Sequence, residues 1–256
     1  MDADWLQPQW DAPAAVGAVM STRAGGVSAG PFASMNLGAY VGDEEVAVRH
    51  NMQRFADVTG ARPVFMKQVH GTRVVNLDTV EPGAPVIEAD ASVTSWPGVA
   101  CTVTVADCLP VLFAATNGRA VGAAHAGWRG LAGGVLEQTL AAVCQAAGCS
   151  PQEVVAWLGA CIGPRAFEVG ADVLTAFDQS PDEPDPARFT ARCGADGTPR
   201  WLANLPQLAR DKLTAAGVQQ VSGGGWCTVE DPARFYSFRR DRVTGRMAAA
   251  VWLRGG

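Results

Sequence analysis

Hydrophobic residues recur along this chain mostly in short runs bounded by turn residues, a pattern that predicts buried strands. The clearest runs cover residues 99–105, 110–115 and 120–124. An Asn117-Gly118 pair separates the last two runs and predicts a hairpin, because both residues tolerate the positive φ that a tight turn needs. Further strands are predicted over residues 15–22, 63–69, 73–77, 92–95, 154–158, 218–222, 235–238 and 246–253.

Helical spacing of apolar residues is confined to fewer segments. Asp43 and Asn204 are predicted N-caps, and Gly60 and Gly148 are predicted helix stops. Helices are predicted over residues 43–59, 131–148, 170–177 and 204–216, with a short capped turn at 150–153 and a solvated acidic loop at 178–186. Helices and hairpins alternate without regular β-α-β spacing. The predicted fold class is therefore α+β, a single domain over residues 1–256 with stacked mixed β-sheets flanked by helices.

Composition narrows the function classes. The chain has 256 residues, 48% of them hydrophobic, which suffices for a large buried core. The formal net charge of −5 and the pI near 5.2 give no general attraction to nucleic acid or to anionic membranes. No signal peptide or spanning apolar segment is recognisable. We therefore expect a cytoplasmic protein with a small-molecule site, without nucleic-acid or membrane partners and with no obligatory protein partner evident.

The cysteines do not form a disulfide pattern. Seven cysteines are spread over the chain without a C-x-x-C pair, so a disulfide framework is not expected. Most of them fall at core positions of the predicted strands and helices. Cys108 differs, because it follows Asp107 at the end of a predicted strand, where a side chain can face a cleft.

The stretch from residue 123 to 130 is the strongest candidate for chemistry. His125 is one of only three histidines and lies where a strand-like run meets a glycine-flanked turn with a helical pattern beyond it. A helix that begins near Arg129 would direct unpaired N–H groups and a guanidinium toward the same place. This combination predicts an anion site.

Six motifs in the same order give the chain a specific resemblance. They are Ser21-Thr22-Arg23-x-Gly25-Gly26-Val27-Ser28, Ser34-x-Asn36-Leu37-Gly38, Lys67-Gln68-Val69-His70-Gly71, Ala106-Asp107-Cys108-Leu109-Pro110, His125-Ala126-Gly127-Trp128-Arg129-Gly130 and Gly159-x-x-Ile162-Gly163-Pro164. With them the chain resembles the metal-dependent purine nucleoside phosphorylases, also called peptidoglycan-editing factors and formerly multicopper polyphenol oxidase or laccase-domain proteins. The resemblance runs from about residue 21 to Leu253.

The resemblance implies a fold, a metal and a substrate class. The implied fold is one domain of stacked mixed sheets, similar to the deamidase domain of cytotoxic necrotizing factor. The implied cofactor is zinc (Zn), held by His70, Cys108 and His125, all three of which are present. The implied substrates are purine nucleosides, namely adenosine, inosine and methylthioadenosine, together with phosphate.

The chemistry of the three residues agrees with a catalytic zinc. Such a zinc takes three N or S ligands and keeps one position open, and two histidines with one cysteine meet that description. The spacing alone does not decide between metal ligands and core or hydrogen-bonding roles, because local metal motifs are much tighter. Zinc also lowers the pKa of a bound water to about 7, so adenosine deamination is a coherent side activity.

Phosphorolysis needs a phosphate held near C1′ of the ribose and stabilisation of charge in the transition state. We expect Arg129 to hold the phosphate, assisted by Arg23 or Arg49, and Asn36 to contact the nucleoside. Two roles stay open from the residues alone. Arg129 either binds phosphate or pairs with Asp107 or another carboxylate. Asp107 is either an acid/base group or a partner that orients a zinc-bound histidine.

Three other functional classes compete with this prediction. A multicopper oxidase fails on counting, because its copper sites would need many more histidines than three. A cysteine hydrolase or deamidase would use Cys108 as nucleophile with His70 or His125 as its base. A non-catalytic protein would bind nucleosides or cell-wall precursors without turnover.

Overall fold

The computed structural model describes residues 4–81, 83–194 and 196–255. Within them, the strands are β1 (Val16–Met20), β2 (Arg62–Val64), β3 (Val74–Asn76), β4 (Ala91–Thr94), β5 (Val99–Val105), β6 (Leu109–Ala115), β7 (Val121–Ala126), β8 (Val154–Leu158), β9 (Glu168–Val169), β10 (Phe189–Cys193), β11 (Pro199–Ala203), β12 (Gln220–Gly223) and β13 (Met247–Leu253). The α-helices are α1 (Glu45–Thr59), α2 (Trp128–Gly133), α3 (Val135–Ala147), α4 (Ala171–Ala176), α5 (Leu205–Ala215) and α6 (Phe238–Asp241).

Two large mixed sheets form the centre of the protein. A four-stranded sheet has the order β1-β13-β5-β2, and a six-stranded sheet has the order β12-β8-β6-β7-β4-β3. A small sheet, β10-β11-β9, lies apart from them in hydrogen bonding. Most neighbours are antiparallel, while β2–β5, β3–β4 and β8–β12 are parallel.

The two large sheets pack face to face because their strands are apolar on both faces. Along β13, Met247, Ala249 and Val251 join the cluster shared with the six-stranded sheet, whereas Ala248 and Ala250 join the cluster beneath α1. Successive side chains of a strand point to opposite faces, so one strand serves both layers. Every residue of β6 is buried, as expected for a strand covered on both sides.

Helices cover the outer faces of the two sheets. Phe55 of α1 is fully buried against the four-stranded sheet. Leu140 and Val143 of α3, together with Leu208 and Leu213 of α5, pack on the outer face of the six-stranded sheet. The result is a layered arrangement of helix, sheet, sheet and helices, which confirms the prediction of mixed sheets flanked by helices. The similarity to a toxin deamidase domain stays a prediction.

Several local predictions are confirmed. Gly60 and Gly148 end α1 and α3 with φ values of 62° and 63°, a backbone region that favours glycine. The side chain of Asn204 accepts a hydrogen bond from the Gln207 N–H and caps α5. Ser150 and Glu153 form the predicted capping box. All seven cysteines are free.

Other local predictions are wrong. The helix expected over 131–148 is interrupted at Gly134, whose φ of 98° separates α2 from α3. The strand expected over 63–69 is only the three-residue β2. In place of the strand expected over 235–238, residues 235–237 form a buried irregular segment and Phe238 begins α6. Apolar runs do not distinguish a strand from a buried loop, because both are buried by tertiary contacts. The small sheet of β9, β10 and β11 had no counterpart among the predicted elements. None of the described helices combines the length and the apolar character needed to cross a membrane.

Candidate metal centre and active site

The antiparallel pairing of β6 and β7 brings Cys108 and His125 together. Pro110 of β6 pairs with His125 of β7, and Cys108 lies immediately before the first residue of β6. A hairpin therefore joins two side chains that are well separated in the sequence. Asp107 takes the positive φ of 92° that turns the chain into β6 at this point.

His70 reaches the same place from the loop between β2 and β3. The Gln68 side chain fixes this loop to β5: its amide donates to Thr104 O and its oxygen accepts from Thr104 N, both at 2.8 Å. His70 itself has a φ of 61°, a left-handed conformation that turns neighbouring N–H groups toward one side. The motif around His70 thus both anchors the loop to β5 and provides a candidate metal ligand.

A buried carboxylate, Asp90, organises the two histidines. Its oxygens accept hydrogen bonds from the N–H groups of Val69 at 3.1 Å, His70 at 2.9 Å and Gly71 at 2.8 Å. They also accept from Nδ1 of His125 at 2.8 Å. Burial raises the pKa of Asp90, but His125 and the N–H donors outweigh it and hold that pKa below its usual value.

Asp90 was not among the predicted site residues, and the orienting role was one of two predicted for Asp107. Among the described residues, Asp107 accepts hydrogen bonds from Thr228 Oγ1 and Arg239 N, each at 2.6 Å, and not from a histidine. The available signal was an acidic residue at the edge of a predicted buried strand. Asp90 is fully buried between two buried alanines, and a buried charge requires partners.

The three candidate ligands fit a single zinc ion. Their ligand atoms lie within 4.8 Å of one another. Cys108 Sγ is 3.6 Å from Nε2 of His70, and a tetrahedral zinc with its usual bond lengths separates N and S by about 3.6 Å. Because Nδ1 of His125 donates to Asp90, Nε2 is the nitrogen left to bind a metal. His125 is 3% exposed and His70 is exposed, so the cluster lies between the core and solvent.

The charges within this cluster favour a metal-binding thiolate. Burial raises the pKa of Cys108, but His125 and His70 more than compensate and lower it to about 6. Burial lowers the pKa of His125, while the Cys108 thiolate and Asp90 raise it to about 9. In the metal-free protein the sulfur is thus deprotonated at neutral pH, which is the form that binds metal or acts as a nucleophile.

Two glycines allow the motif after His125 to approach the His70 loop. A Cβ on Gly127 would lie 2.7 Å from His70 Cδ2 and 3.2 Å from Cys108 Sγ. A Cβ on Gly130 would lie 2.7 Å from the carbonyl oxygen of Gly71. These glycines are required by close packing around the ligands.

The three ligands line a cavity of about 910 Å³ with an unusual balance of charge. Its charged wall residues, besides the ligands, are the cations Lys67, Arg129, Arg239, Arg242 and Arg246 and the single acidic residue Asp107. This excess of positive charge contrasts with the net charge of −5 for the whole chain. Aromatic side chains also line the cavity, namely Tyr40, Phe65, Trp128, Phe167 and Phe238.

Arg129 is available for an anionic ligand. Its guanidinium carbon lies 4.2 Å from the centroid of the Trp128 ring, and no carboxylate oxygen of the described residues lies within ion-pair distance. Pairing with Asp107, the open alternative, is not observed. Helix α2 has only six residues, so we attribute no anion site to its N-terminus.

The other predicted substrate contacts lie away from the cavity wall as the described residues define it. Arg23 donates to the carbonyl oxygens of Ala33 and Pro232. Arg49 pairs with Glu45 on the exposed face of α1. Asn36 is buried and bonds Asp43 and the backbone of Gly38. Their side chains have structural partners in place of a ligand.

The fold and the site together define a protein with stacked mixed sheets and one possible two-histidine, one-cysteine metal centre. The chain belongs to the family described as multi-copper polyphenol oxidoreductase laccase, which matches residues 17–254. The predicted family relationship is therefore confirmed. A multicopper centre has no basis in this chain, since it contains three histidines and two of them belong to a single cluster.

Similar proteins point to a different activity from that family description. The chain is 49% identical over 97% of its length to a Pseudomonas aeruginosa protein named purine nucleoside phosphorylase, covering 98% of that protein. It is 46% identical to the Escherichia coli purine nucleoside phosphorylase YfiH, over 97% of this chain and 98% of that one. A Neisseria meningitidis crystal structure, NMB0706, matches with 46% identity and a TM-score of 0.89 over 98% of this chain and 100% of that one. The crystal structure of YlmD from Geobacillus stearothermophilus matches with 32% identity and a TM-score of 0.87 over 100% of this chain and 98% of that one.

Proposed function

We propose that this chain is a zinc-dependent purine nucleoside phosphorylase that cleaves the N-glycosidic bond of adenosine, inosine or methylthioadenosine. Phosphate is the second substrate, and the products are the free base and ribose 1-phosphate. The observation that carries the proposal is the His70–Cys108–His125 cluster within a cavity whose other charged residues are almost all cationic. The names of the similar proteins support the substrate class.

A zinc ion held by the three ligands would supply a Lewis acid at the reacting centre. Arg129 would bind the phosphate, and its position over the Trp128 ring limits the movement of the guanidinium. Because the transition state for N-glycosidic cleavage carries positive charge on the ribose, a phosphate held against C1′ provides both the nucleophile and the stabilising charge.

Asp107 supports this site indirectly in our proposal. One oxygen accepts from the Thr228 hydroxyl and the other from the Arg239 N–H, so the carboxylate links two distant segments of the chain. Asp107 is therefore a positioning residue for the segment that contains Arg239. Asp90 has the matching role for His125 and the His70 loop.

A second candidate function rests on the state of Cys108. Its pKa is lowered to about 6 and Nε2 of His70 lies 3.6 Å from its sulfur, an arrangement that also suits a cysteine nucleophile with a histidine base. The two functions differ in how zinc affects the thiol. A metal ligand is protected from alkylation by zinc, whereas a nucleophile is trapped by substrate during turnover in metal-free protein.

The decisive experiment incubates zinc-loaded and chelator-treated protein with adenosine, with and without phosphate. Adenine, ribose 1-phosphate and inosine are followed separately, so that inosine reports the deaminase side activity. We expect ribose 1-phosphate only with both zinc and phosphate. Cys108→Ala and His125→Ala should abolish its formation, while the matched exposed controls Cys193→Ala and His50→Ala should not.

Two results would overturn the proposal. Turnover by Cys108→Ala and His125→Ala at the parent rate would show that the cluster is not the reaction centre. Nucleoside binding without ribose 1-phosphate under any metal or phosphate condition would instead indicate a non-catalytic binding protein. The seven free cysteines fit a reducing compartment, and we propose the cytoplasm as its location.

A further inference from the structure

Three arginines of the C-terminal segment line the same cavity as the metal cluster. Arg239 lies in α6, Arg242 directly follows that helix, and Arg246 directly precedes β13. We name these three residues the arginine wall. The proposed phosphorolysis uses Arg129 for phosphate and leaves the arginine wall without a role.

The contacts of the arginine wall are all to neutral groups. Arg239 donates to the carbonyl oxygen of Glu168 at 3.0 Å, and Arg246 donates to the carbonyl oxygens of Thr244 and Gly245, each at 3.0 Å. The guanidinium carbons of Arg242 and Arg246 each lie 5.9 Å from the centroid of the Phe238 ring. These contacts orient the guanidinium groups without neutralising their charge.

No carboxylate oxygen of the described residues comes within ion-pair distance of the arginine wall. Several arginines elsewhere in the protein do have such partners. Arg165 lies 2.8 Å from Glu230, and Arg188 lies 2.6 Å from Asp211. Asp107, the one acidic residue among the described cavity residues, accepts from the backbone N–H of Arg239 and forms no ion pair with its guanidinium.

Clustered cations without counter-ions are costly, particularly where they are removed from water. Arg246 is partly buried, and burial lowers its pKa against the opposing charges of Cys108 and Asp107. An anionic ligand would offset this cost. The guanidinium fork matches the oxygens of a phosphoryl group and binds them through charge-assisted hydrogen bonds.

We propose that the arginine wall is a second anion subsite, which binds a phosphoryl group carried by the substrate itself. Purine nucleoside 5′-phosphates are then ligands of this cavity. The nucleoside part of this ligand rests on the proposed function. A cavity of about 910 Å³ lies near the upper end of the usual ligand-pocket range of roughly 300–1,000 Å³, so it has room for a nucleotide in addition to inorganic phosphate.

The test is calorimetric titration of zinc-loaded protein, at fixed ionic strength, with adenosine, adenosine 5′-monophosphate (AMP) and inorganic phosphate in separate experiments. We expect AMP to bind about tenfold tighter than adenosine, as one charge-assisted contact allows. Arg242→Gln should remove most of that preference and leave the affinities for adenosine and inorganic phosphate unchanged. Arg242 suits the test because it is exposed and its side chain makes no hydrogen bond with the described residues.

Arg254→Gln is the matched control. Arg254 is also exposed, and its guanidinium carbon lies at the same 5.9 Å from an aromatic ring, that of Trp252, outside the cavity. This variant should bind AMP and adenosine as the parent does. An equal loss of AMP affinity in both variants would show that the changed net charge of the protein, and not a local contact, causes the effect. That result would overturn the proposal.

Two further outcomes separate this proposal from the proposed function. Adenosine could be phosphorolysed while AMP binds no tighter than adenosine, or while Arg242→Gln weakens only the binding of inorganic phosphate. Either result would show that the proposal of a second subsite is wrong, and the proposed phosphorylase function would stand. If AMP binds through Arg242 but no ribose 1-phosphate forms from adenosine, the proposal of the second subsite stands and the proposed phosphorylase function is wrong.

Discussion

Two sides of one cavity are each organised by a single buried aspartate. On the metal side, Asp90 is fully buried and binds the ring of His125 and three N–H groups of the His70 loop. On the arginine side, Asp107 is 9% exposed and binds the Thr228 hydroxyl and the N–H of Arg239. Asp90 thus accepts four hydrogen bonds from the protein, whereas Asp107 accepts two.

The difference lies in what each aspartate touches. Asp90 contacts a candidate ligand directly, so its charge affects the protonation of His125 and the geometry of the metal cluster. Asp107 contacts only uncharged donors and holds the backbone beside the arginine wall. One aspartate therefore tunes chemistry, and the other positions a binding surface. This comparison predicts different consequences for the same substitution.

The largest difference in zinc affinity between the two sides should come from exchanging each aspartate for asparagine. Asp90→Asn should weaken zinc binding by about 10–100-fold, because an outer partner of a metal-binding histidine is lost. It should also lower the free energy of unfolding by on the order of 1–3 kcal/mol, since an amide cannot accept from all four donors. Asp107→Asn should leave zinc affinity at the parent value. Competition with a chromogenic chelator measures both, and equal zinc affinities for the two variants would contradict the comparison.

A smaller loss of zinc affinity is expected from a substitution that crowds the metal side. In Gly127→Ala, a Cβ would lie 2.7 Å from the His70 ring and force that ligand to move. We expect about a tenfold weaker zinc affinity, at the lower end of the effects of disturbing a metal site's surroundings. Gly225→Ala is the control, because nothing lies within 4 Å of a Cβ at that position. Parent-like zinc affinity in Gly127→Ala would mean that the His70 loop adapts freely.

The pH dependence of Cys108 tests the charge coupling on the metal side. Since the pKa of Cys108 is lowered to about 6, its thiolate is present above that pH and is lost as the pH falls through it. Alkylation of Cys108 in metal-free protein, followed by mass spectrometry, should therefore rise with a midpoint near pH 6 and then level off. Asp90→Asn should move the midpoint upward, because Asp90 helps to keep His125 protonated. Asp107→Asn should move it less.

The smallest effect is expected far from both sides. Arg49 pairs with Glu45 on the exposed surface of α1, where an ion pair contributes little to stability. Arg49→Gln should therefore leave the melting temperature and the KM for phosphate unchanged in a phosphorolysis assay. A clear rise of KM in this variant would restore the sequence-based prediction that Arg49 assists phosphate binding.

Local patterns predicted much of the fold. The strands β5 and β8 have the predicted bounds, and the C-caps of α1 and α3 and the N-cap of α5 follow from single residues whose chemistry acts locally. The predicted N-cap Asp43 is wrong, because Glu44 holds that position in α1. The break at Gly134 and the irregular segment over 235–237 were not predicted, because an apolar residue carries the same signal in a strand, a helix and a buried loop. The unpredicted strands, β9 to β11, form a sheet of their own.

The candidate site was likewise predicted only in part from the sequence. His70, Cys108, His125 and Arg129 were identified from motifs and residue chemistry, and the structure places all four at one cavity. Asp90, Arg239, Arg242 and Arg246 were not assigned as functional side chains in advance. Conversely, the guanidinium of Arg23 and the amide of Asn36 are used by nearby backbone and side-chain groups.

The sequence by itself thus determined the candidate ligand set, the family and most of the strands, since these depend on residue type and short spacing. Only the tertiary structure decided which carboxylate orients the metal side and which arginines remain unpaired. Asp90 and Asp107 are equivalent in sequence, each an aspartate next to a buried strand. They differ because strand pairing and loop closure place a histidine beside one and the backbone of a distant helix beside the other.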